Sequence, residues 1–494
     1  MIKKSFYFFI SFILLTLSVP FRAYALELPD IKASQAILIE QTTGKVLYEK
    51  NADAKAYPAS MTKILTAILL IENIGMDDII VTGDEVYGIP ADSSRAGHTA
   101  GESISGINLL RGLLLPSGNE TGCVVAAEVI RRTTGDDSLP YEEAERQFAN
   151  MMNAKAREIG AVNTHFVNPH GYHDDNHYTT ARDMALICQK AMEYEEFSNI
   201  AREVEYIGNG VVSGRTDDML TAEYDWENTN QLINPSSEFY YADAVGIKTG
   251  FTDQAGYCLS SAAERNGIKL IAVIFNDIEA DRYGDSARLF EYGFNTYDFR
   301  VVQEGDFIID TIQVHNPKLG EESDLEVKAL GSHTEFLSED ELNSIERDIV
   351  YDEAKVYKHT AEELAAEKEE ALKLAEKEGL EYAISEDEPV EITLPVKEGE
   401  VLGYVSYTLN GAEIYRADLV STRSADERTK DTDREYYINY IKANMFTVRA
   451  IPFWIGGLVI LGLIITLIAV IIRAIFIRKR RRRDAYTFSK RRRY

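Results

Sequence analysis

Cysteine is scarce in this chain of 494 residues, and the three that are present are Cys123, Cys188 and Cys258. An odd number without a framework spacing leaves at least one thiol unpaired, which excludes a scaffold held together by disulfides. We therefore expect all three cysteines to be buried and to behave as small apolar residues.

Basic residues are also in deficit, because 52 Lys and Arg face 80 Asp and Glu, for a net charge of −28. The distribution is uneven. Residues 473–494 contain eleven basic residues and one Asp, and residues 1–25 contain three basic residues and no acid, so residues 26–472 carry a net charge of −41. A body this acidic argues against a nucleic-acid partner and is compatible with a solvated enzyme outside the membrane.

Long uncharged apolar runs occur at two places, residues 6–19 and 451–472. The first follows Lys3 and Lys4 and precedes Ala23-Tyr24-Ala25, so residues 1–25 are predicted to be a secretory signal peptide, with an uncleaved N-terminal anchor as the alternative. The second run is about 33 Å long as a helix, enough to cross a bilayer.

The second run predicts a transmembrane helix over residues 449–473 and a basic tail over 474–494. Positive residues stay on the cytoplasmic side, so the body of the chain should face outward from a bacterial plasma membrane crossed once. The basic run could also bind anionic lipid, although a stop-transfer role explains it without further assumptions.

Residues 26–300 have a mixed α and β pattern, with strands near both ends and helices between them. This order predicts an α/β fold in which one sheet is flanked by a helical region. The predicted strands cover residues 36–40, 45–49, 244–248, 257–263 and 269–275, and the predicted helices cover 61–73, 104–115, 120–131 and 286–294.

Residues 301–422 predict a second, β-rich domain. Alternating patterns mark strands at 307–314, 401–409 and 412–420, and Asn410-Gly411 between the last two is a hairpin signal. A helical insertion near 353–381 interrupts this domain, and a solvated helix is favoured over a partner-binding arm. Residues 423–448 are polar and charged and predict a juxtamembrane linker.

Three short motifs occur once each and in a fixed order: Ser60-x-x-Lys63, Ser117-x-Asn119 and Lys248-Thr249-Gly250. Each motif alone would be weak evidence. Together, in an exported chain, they indicate a penicillin-recognising enzyme that forms an acyl-enzyme on a serine.

The first motif supplies a nucleophile and a base. A serine hydroxyl needs a base, and Lys63 is one helical turn from Ser60, so both side chains share one face of the helix. Burial against Ile64 and Leu65, and a second cation at Lys248, should lower the pKa of Lys63 so that its amine is partly neutral.

The second motif should lie in a break between two helices, where the hydroxyl of Ser117 is free to relay a proton. The amide of Asn119 suits a peptide substrate. Backbone N–H groups of Ser60 and Phe251 are candidate oxyanion donors.

The third motif is expected on an edge strand. The ammonium of Lys248 and the hydroxyl of Thr249 suit a substrate carboxylate, and Gly250 should let the substrate approach the backbone closely.

With these motifs the chain resembles the low-molecular-mass penicillin-binding proteins, which are serine-type D-alanyl-D-alanine carboxypeptidases. Residues 36–51, 168–171, 177–183 and 250–256 support the resemblance, which extends over about residues 26–420. It implies a β-lactamase- or transpeptidase-like catalytic domain over 26–300, followed by a small β domain.

The resemblance also implies roles. Ser60 would be the nucleophile, Lys63 the base, Ser117 and Asn119 the second motif, and Lys248 with Thr249 the carboxylate site. The substrate would be a peptidoglycan stem peptide ending in D-Ala-D-Ala, with β-lactams as covalent inhibitors and no cofactor. Many relatives end in an amphipathic helix on the membrane, whereas this chain has a spanning segment and a helical insertion.

Two other patterns compete with this interpretation. His170, His173 and His177 with Asp174 and Asp175 could ligate a metal, but their spacing fits no zinc signature and the resemblance assigns the stretch to a structural turn. Residues 339–343 resemble the deacylating glutamate motif of β-lactamases, but they follow Lys248 rather than precede it, which indicates coincidence.

Two alternatives to a membrane-anchored D,D-carboxypeptidase stay open. The chain could be a β-lactamase, which fast hydrolysis of penicillin would favour, or a non-catalytic wall-binding protein on the same fold. Labelling with penicillin separates the three.

Overall fold

The computed structural model describes residues 28–212, 220–360, 390–445 and 451–490, together with Thr447 and scattered positions between 362 and 377. The chain divides into two compact units, Met1–Asp298 and Phe299–Tyr494, close to the boundary expected after residue 300. The predicted signal peptide, residues 1–25, lies outside the described residues.

The first unit combines strands and helices. Its strands are β1 (Gln35–Glu40), β2 (Val46–Lys50), β3 (Ile79–Val81), β4 (Glu102–Ser105), β5 (Glu205–Val212), β6 (Leu220–Glu227), β7 (Ala244–Thr252), β8 (Gly256–Arg265) and β9 (Ile268–Asp277). Its helices are α1 (Lys63–Asn73), α2 (Gly106–Leu114), α3 (Asn119–Thr134), α4 (Tyr141–Ile159), α5 (Ala181–Met192), α6 (Glu195–Ala201) and α7 (Asp281–Thr296).

One antiparallel sheet joins the two ends of this unit in the order β2-β1-β9-β8-β7. Asn266 and Gly267 connect β8 to β9 with φ of 53° and 85°, the positive values that a tight hairpin turn needs. The predicted α/β fold is therefore confirmed. Strand β7, which carries the third motif, is at the edge of this sheet.

Helix α1 forms the centre of the helical region. Its side chains from Lys63 to Leu70 are buried, as its apolar pattern all round predicts. Each buried leucine or isoleucine contributes roughly 1.5–3 kcal/mol through burial, so α1 is held firmly between the sheet and the other helices. The predicted helices at 104–115 and 120–131 correspond to α2 and α3.

Several elements of the first unit were not predicted. They are a second sheet with the order β3-β4-β5-β6 and the helices α4, α5 and α6. Helix α7 begins at Asp281, five residues before the predicted start. All three cysteines are free and buried, as expected from their number and spacing.

The second unit is rich in β-structure. Its strands are β10 (Tyr297–Gln303), β11 (Ile308–Val314), β12 (Asp324–Ala329), β13 (His333–Ser338), β14 (Glu346–Tyr351), β15 (Val356–Tyr357), β16 (Glu391–Ile392), β17 (Val401–Leu409) and β18 (Ala412–Ser421). Seven of them form a sheet in the order β14-β17-β18-β12-β11-β16-β15. Asn410 and Gly411 have positive φ and make the predicted β17–β18 turn. About half of the predicted insertion at 353–381 lies outside the described residues. Within the described part, Val356–Tyr357 form strand β15 rather than a helix, because they pair with β16, and Lys373 forms an ion pair of 2.6 Å with Glu369.

The helices of the second unit whose bounds lie among the described residues are α8 (Glu339–Asn343), α9 (Lys430–Asn444) and α10 (Ile451–Lys490). Helix α9 occupies much of the segment predicted as a linker, and Thr429 caps its first turn. Within α10, Ile451–Arg480 is long and apolar enough to cross a membrane.

Candidate active site

The first motif is held at the junction of a short 3-10 turn and α1. The turn covers Ala59–Thr62, and Lys63 is the first residue of α1. Ala59 has a φ of 46°, an unusual value for alanine that directs the chain so that Ser60 faces outward while Lys63 is buried. The Lys63 Nζ lies 2.9 Å from the Ser60 Oγ. The predicted pair of side chains is therefore in contact.

The Lys63 amine has two further partners, both of them oxygen acceptors. It donates to Asn119 Oδ1 at 2.6 Å and to the backbone oxygen of His170 at 2.8 Å. Burial, and then the charge of Lys248, hold the pKa of Lys63 well below its ordinary value. These are the two causes that the sequence led us to expect.

The second motif lies in the turn between α2 and α3. Ser117 has a φ of 63°, and its Oγ is buried and makes no hydrogen bond to any residue that the structure describes. Asn119 is the first residue of α3. A buried hydroxyl without a partner is rare, because its desolvation is then uncompensated, so this hydroxyl is available for a proton or a ligand.

The third motif places a second buried amine on β7. Lys248 is fully buried, and among the described residues its Nζ makes two long hydrogen bonds, to Thr229 Oγ1 at 3.4 Å and to the backbone oxygen of Thr249 at 3.3 Å. Burial and then the charge of Arg282 lower the pKa of Lys248 to about 7. The Thr249 hydroxyl contacts that of Thr229 at 2.6 Å.

Gly250 makes a close packing contact in addition to the expected opening for substrate, which stays a prediction. A Cβ at Gly250 would meet the backbone oxygen of Pro58 at 2.8 Å and the Cβ of Ala59 at 3.2 Å. The absent side chain therefore lets β7 pack closely against the turn that carries Ser60. Phe251 follows on the same strand and is half exposed, with its ring against Tyr257.

A cavity of about 310 Å³ opens beside these motifs. Ser60, Asn119 and Phe251 line it, and the remaining wall comes from residues 92–94, 171–173 and 252–254. The other predicted residues, Lys63, Ser117, Lys248, Thr249 and Gly250, are buried and are not among the lining residues.

The histidine cluster supports the first motif. His177 contacts Thr62 Oγ1 through Nε2 at 2.8 Å and accepts from the Val167 N–H through Nδ1 at 3.1 Å, so both of its ring nitrogens are engaged. Burial lowers the pKa of His177 to about 3, and burial with Lys63 lowers that of His170. Among the described residues no group of three or more potential ligands is arranged to hold a metal ion.

Residues 339–343, which resemble the deacylating glutamate motif of β-lactamases, form α8 in the second unit, where Glu341 completes a capping box.

Gly171 is an important residue whose role the sequence did not reveal. It has a φ of +86°, and a Cβ there would lie 1.8 Å from the backbone oxygen of Ala59. The chain at Gly171 thus lies directly against the residue before Ser60. Thr229 and Arg282 were also missed, because they reach the third motif from distant segments and no local pattern marks them.

This geometry, a serine in contact with a buried lysine at the start of a central helix beside an edge strand, is the one expected of a penicillin-recognising serine enzyme. The sequence pattern of the D-alanyl-D-alanine carboxypeptidase family matches residues 22–279, which is more than half of the chain. The chain therefore belongs to the D-alanyl-D-alanine carboxypeptidase family, and the predicted enzyme class is confirmed.

Individual relatives agree with this assignment. The chain is 30% identical over 297 residues to the D-alanyl-D-alanine carboxypeptidase DacF of Bacillus subtilis, which covers 58% of this chain and 68% of that one. It is 26% identical over 413 residues to DacC of Escherichia coli, covering 81% and 86%. The crystal structure of DacD from Francisella tularensis matches 81% of this chain and 95% of its own with a TM-score of 0.55 at 22% identity, which supports the fold.

Proposed function

We propose that this enzyme removes the terminal D-Ala from peptidoglycan stem peptides through an acyl-enzyme on Ser60, and that β-lactams inhibit it by acylating the same residue. The observation that carries the proposal is the contact of 2.9 Å between the Ser60 Oγ and the Lys63 Nζ. Ser60 lines the cavity, so the hydroxyl is accessible to substrate while its base is buried.

Lys63 is well placed to act as the base. A neutral amine has two N–H groups and one lone pair. The N–H groups are taken by Asn119 Oδ1 and the His170 backbone oxygen, which leaves the lone pair for the hydroxyl of Ser60. Burial and the nearby charge of Lys248 lower the pKa of Lys63, which favours the neutral amine over the ammonium.

Acylation begins at the hydroxyl of Ser60. The Ser60 oxygen attacks the carbonyl carbon of the penultimate D-Ala, and its proton passes to Lys63. The oxyanion is held by the backbone N–H groups of Ser60 and Phe251. When the C–N bond breaks, the proton held by Lys63 passes through the Ser117 hydroxyl to the leaving amine of the terminal D-Ala, and Lys63 is neutral again. Water hydrolyses the ester and restores the serine.

Lys248 and Thr249 would bind the terminal carboxylate, and we include Arg282 in this proposed site because its charge acts on Lys248. In the described part of the chain the hydrogen-bond partners of the Lys248 amine are Thr229 Oγ1 and the Thr249 backbone oxygen, and that of the Arg282 guanidinium is the Tyr283 hydroxyl, so neither cation is paired with a carboxylate there. A bound carboxylate would offset their mutual repulsion and the cost of burying them. Asn119, at the cavity wall, would hold the peptide.

For localisation we propose a single-pass anchor. The signal peptide would export residues 26–448, the apolar part of α10 would span the bacterial plasma membrane, and the basic tail would remain cytoplasmic. The catalytic unit would then face the wall, where its substrate is.

Release of D-Ala from a peptide ending in D-Ala-D-Ala, with and without EDTA and with and without penicillin, tests this function. We expect release that penicillin stops and EDTA does not. Release stopped by EDTA but not by penicillin would indicate the histidine cluster instead. Rapid turnover of penicillin without a lasting adduct would indicate a β-lactamase, and no adduct and no release a non-catalytic protein.

A further inference from the structure

A buried carboxylate directly follows the second motif. Glu120 is almost fully buried, and its Oε1 accepts hydrogen bonds from the backbone N–H groups of Ala96 and Gly97, both at 2.7 Å, and of His98 at 3.3 Å. Three consecutive N–H groups on one carboxylate oxygen are charge-assisted bonds, which are stronger than those between neutral groups. Without Glu120 these donors would need other partners.

The segment 92–98 is also held by the second motif itself and by strand β6. The Asn119 N–H donates to the Ser94 backbone oxygen at 2.9 Å, and Trp226 Nε1 donates to the Ala96 oxygen at 2.8 Å. A Cβ at Gly118 would lie 2.8 Å from the Cβ of Ala96. The segment therefore packs directly on the turn that carries Asn119.

The same segment forms one side of the cavity. Residues 92–94 line it, and the hydroxyl of Tyr172, another lining residue, lies 3.4 Å from Asp92 Oδ1. The position of this wall relative to Asn119 decides how a peptide fits beside Ser60.

We propose that Glu120 is a positioning residue. It fixes the segment 92–98, whose residues 92–94 form one wall of the cavity, to the second motif and thereby orients the peptide substrate for attack by Ser60. This inference rests on the proposed function, since it names what positions the substrate in that site. Glu120 itself does not line the cavity.

Glu120 also lies near enough to Lys63 to affect the base. The titratable groups around the Lys63 amine are Lys248 on β7, Glu120 and Cys123 on α3, and His170 before α5. Lys248 lowers the pKa of Lys63, whereas the negative charge of Glu120 raises it. Removal of that charge should therefore lower the pKa of Lys63 further.

The test compares Glu120→Ala and Glu120→Gln with the matched control Glu40→Ala, all in the full-length protein in detergent. Glu40 is equally buried and likewise accepts from backbone N–H groups, those of Thr42 and Thr43, in a turn that contributes nothing to the cavity. Hydrogen exchange of the amides of residues 96–98 reports the wall, and kcat and KM for a D-Ala-D-Ala peptide against pH report its effect.

We expect Glu120→Ala to lose exchange protection at residues 96–98 and to lower kcat/KM by about 10- to 100-fold, the effect of misplacing a substrate by roughly 1 Å. Glu120→Gln keeps the accepting oxygen and should restore most of both. In both variants the acidic limb of kcat/KM should move to lower pH, which a purely structural role of Glu120 would not cause. Glu40→Ala should lose protection only in its own turn and keep its kcat/KM.

Unchanged protection at residues 96–98 in Glu120→Ala would overturn the inference, as would lost protection with an unchanged kcat/KM. An equal loss of kcat/KM in Glu40→Ala would also overturn it, because the effect would then be general. A wild-type protein that penicillin does not acylate would instead refute the proposed function, while the exchange measurement would still decide whether Glu120 holds the wall.

Discussion

Replacement of Gly171 by alanine should disable the nucleophile although it changes no residue of the three motifs. The new Cβ would lie 1.8 Å from the backbone oxygen of Ala59 and 2.8 Å from Thr62 Oγ1. A carbon and a carbonyl oxygen normally stay about 3.3 Å apart, so the turn carrying Ser60 must move by roughly 1.5 Å. A displacement of that size is expected to lower the acylation rate by roughly 100-fold.

The backbone conformation gives a second contribution, which has to be separated from the contact. Gly171 has a φ of +86°, and an alanine there costs about 1–2 kcal/mol of stability. Gly267, in the turn between β8 and β9, has a φ of +85°, and no atom lies within 4 Å of the position that a Cβ would take there. Gly267→Ala therefore carries the same conformational cost without the contact with Ala59.

The assay is the rate of Ser60 acylation by a fluorescent penicillin, together with thermal unfolding of each variant. We expect both variants to be destabilised by a similar conformational cost, with a further loss from overpacking in Gly171→Ala, and only Gly171→Ala to acylate slowly. Acylation of Gly171→Ala within twofold of the wild-type rate would refute the reasoning. An equal slowing in both variants would show that strain, and not the contact with Ala59, is responsible.

Three other expectations follow from the site and the anchor. Thr229→Val removes the partner of the Thr249 hydroxyl and should raise KM for a D-Ala-D-Ala peptide by about 3- to 10-fold with little change in kcat; an unchanged KM would show that Thr229 does not orient Thr249. As the pH falls, kcat/KM should decrease because Lys63 becomes protonated. As the pH rises, kcat/KM should decrease because Lys248, with its pKa of about 7, loses its charge. Lys248→Arg should move this alkaline decrease to higher pH, because arginine stays charged. A chain ending after Asn444 should be secreted, soluble and still reactive with penicillin, whereas the full chain should need detergent for extraction; release of the full chain by salt alone would contradict a spanning helix.

The sequence predicted the elements whose pattern depends on their own residues. Helix α1 is apolar all round, and the hairpin of β8 and β9 has long apolar strands joined by Asn266-Gly267. The residues of each element are therefore enough to predict it. The three motifs were likewise predicted to meet, and the structure brings the Ser60 and Lys63 side chains into contact. Helix α4 was missed although Pro140 precedes it and Gly160, with a φ of +96°, ends it, which are recognisable boundary signals.

Other features depend on tertiary pairing and could not be predicted from local pattern. Strand β3 has only three residues, and β5 contains two glycines, which strands disfavour. The local sequence therefore does not indicate these strands, and pairing between distant segments stabilises the second sheet. The contact of Gly171 with Ala59 and the approach of Arg282 to Lys248 join segments that are distant in sequence. The segment predicted as a linker contains the capped helix α9, whose charged residues gave no apolar stripe to indicate it.

The central claim is that Ser60 is the nucleophile and Lys63 its base. Intact mass spectrometry of the full-length protein after incubation with penicillin, followed by peptide mapping, tests it most directly. We predict one adduct per chain, located on Ser60, absent in Ser60→Ala and formed far more slowly in Lys63→Ala. An adduct on another residue, or one that persists in Ser60→Ala, would contradict the account.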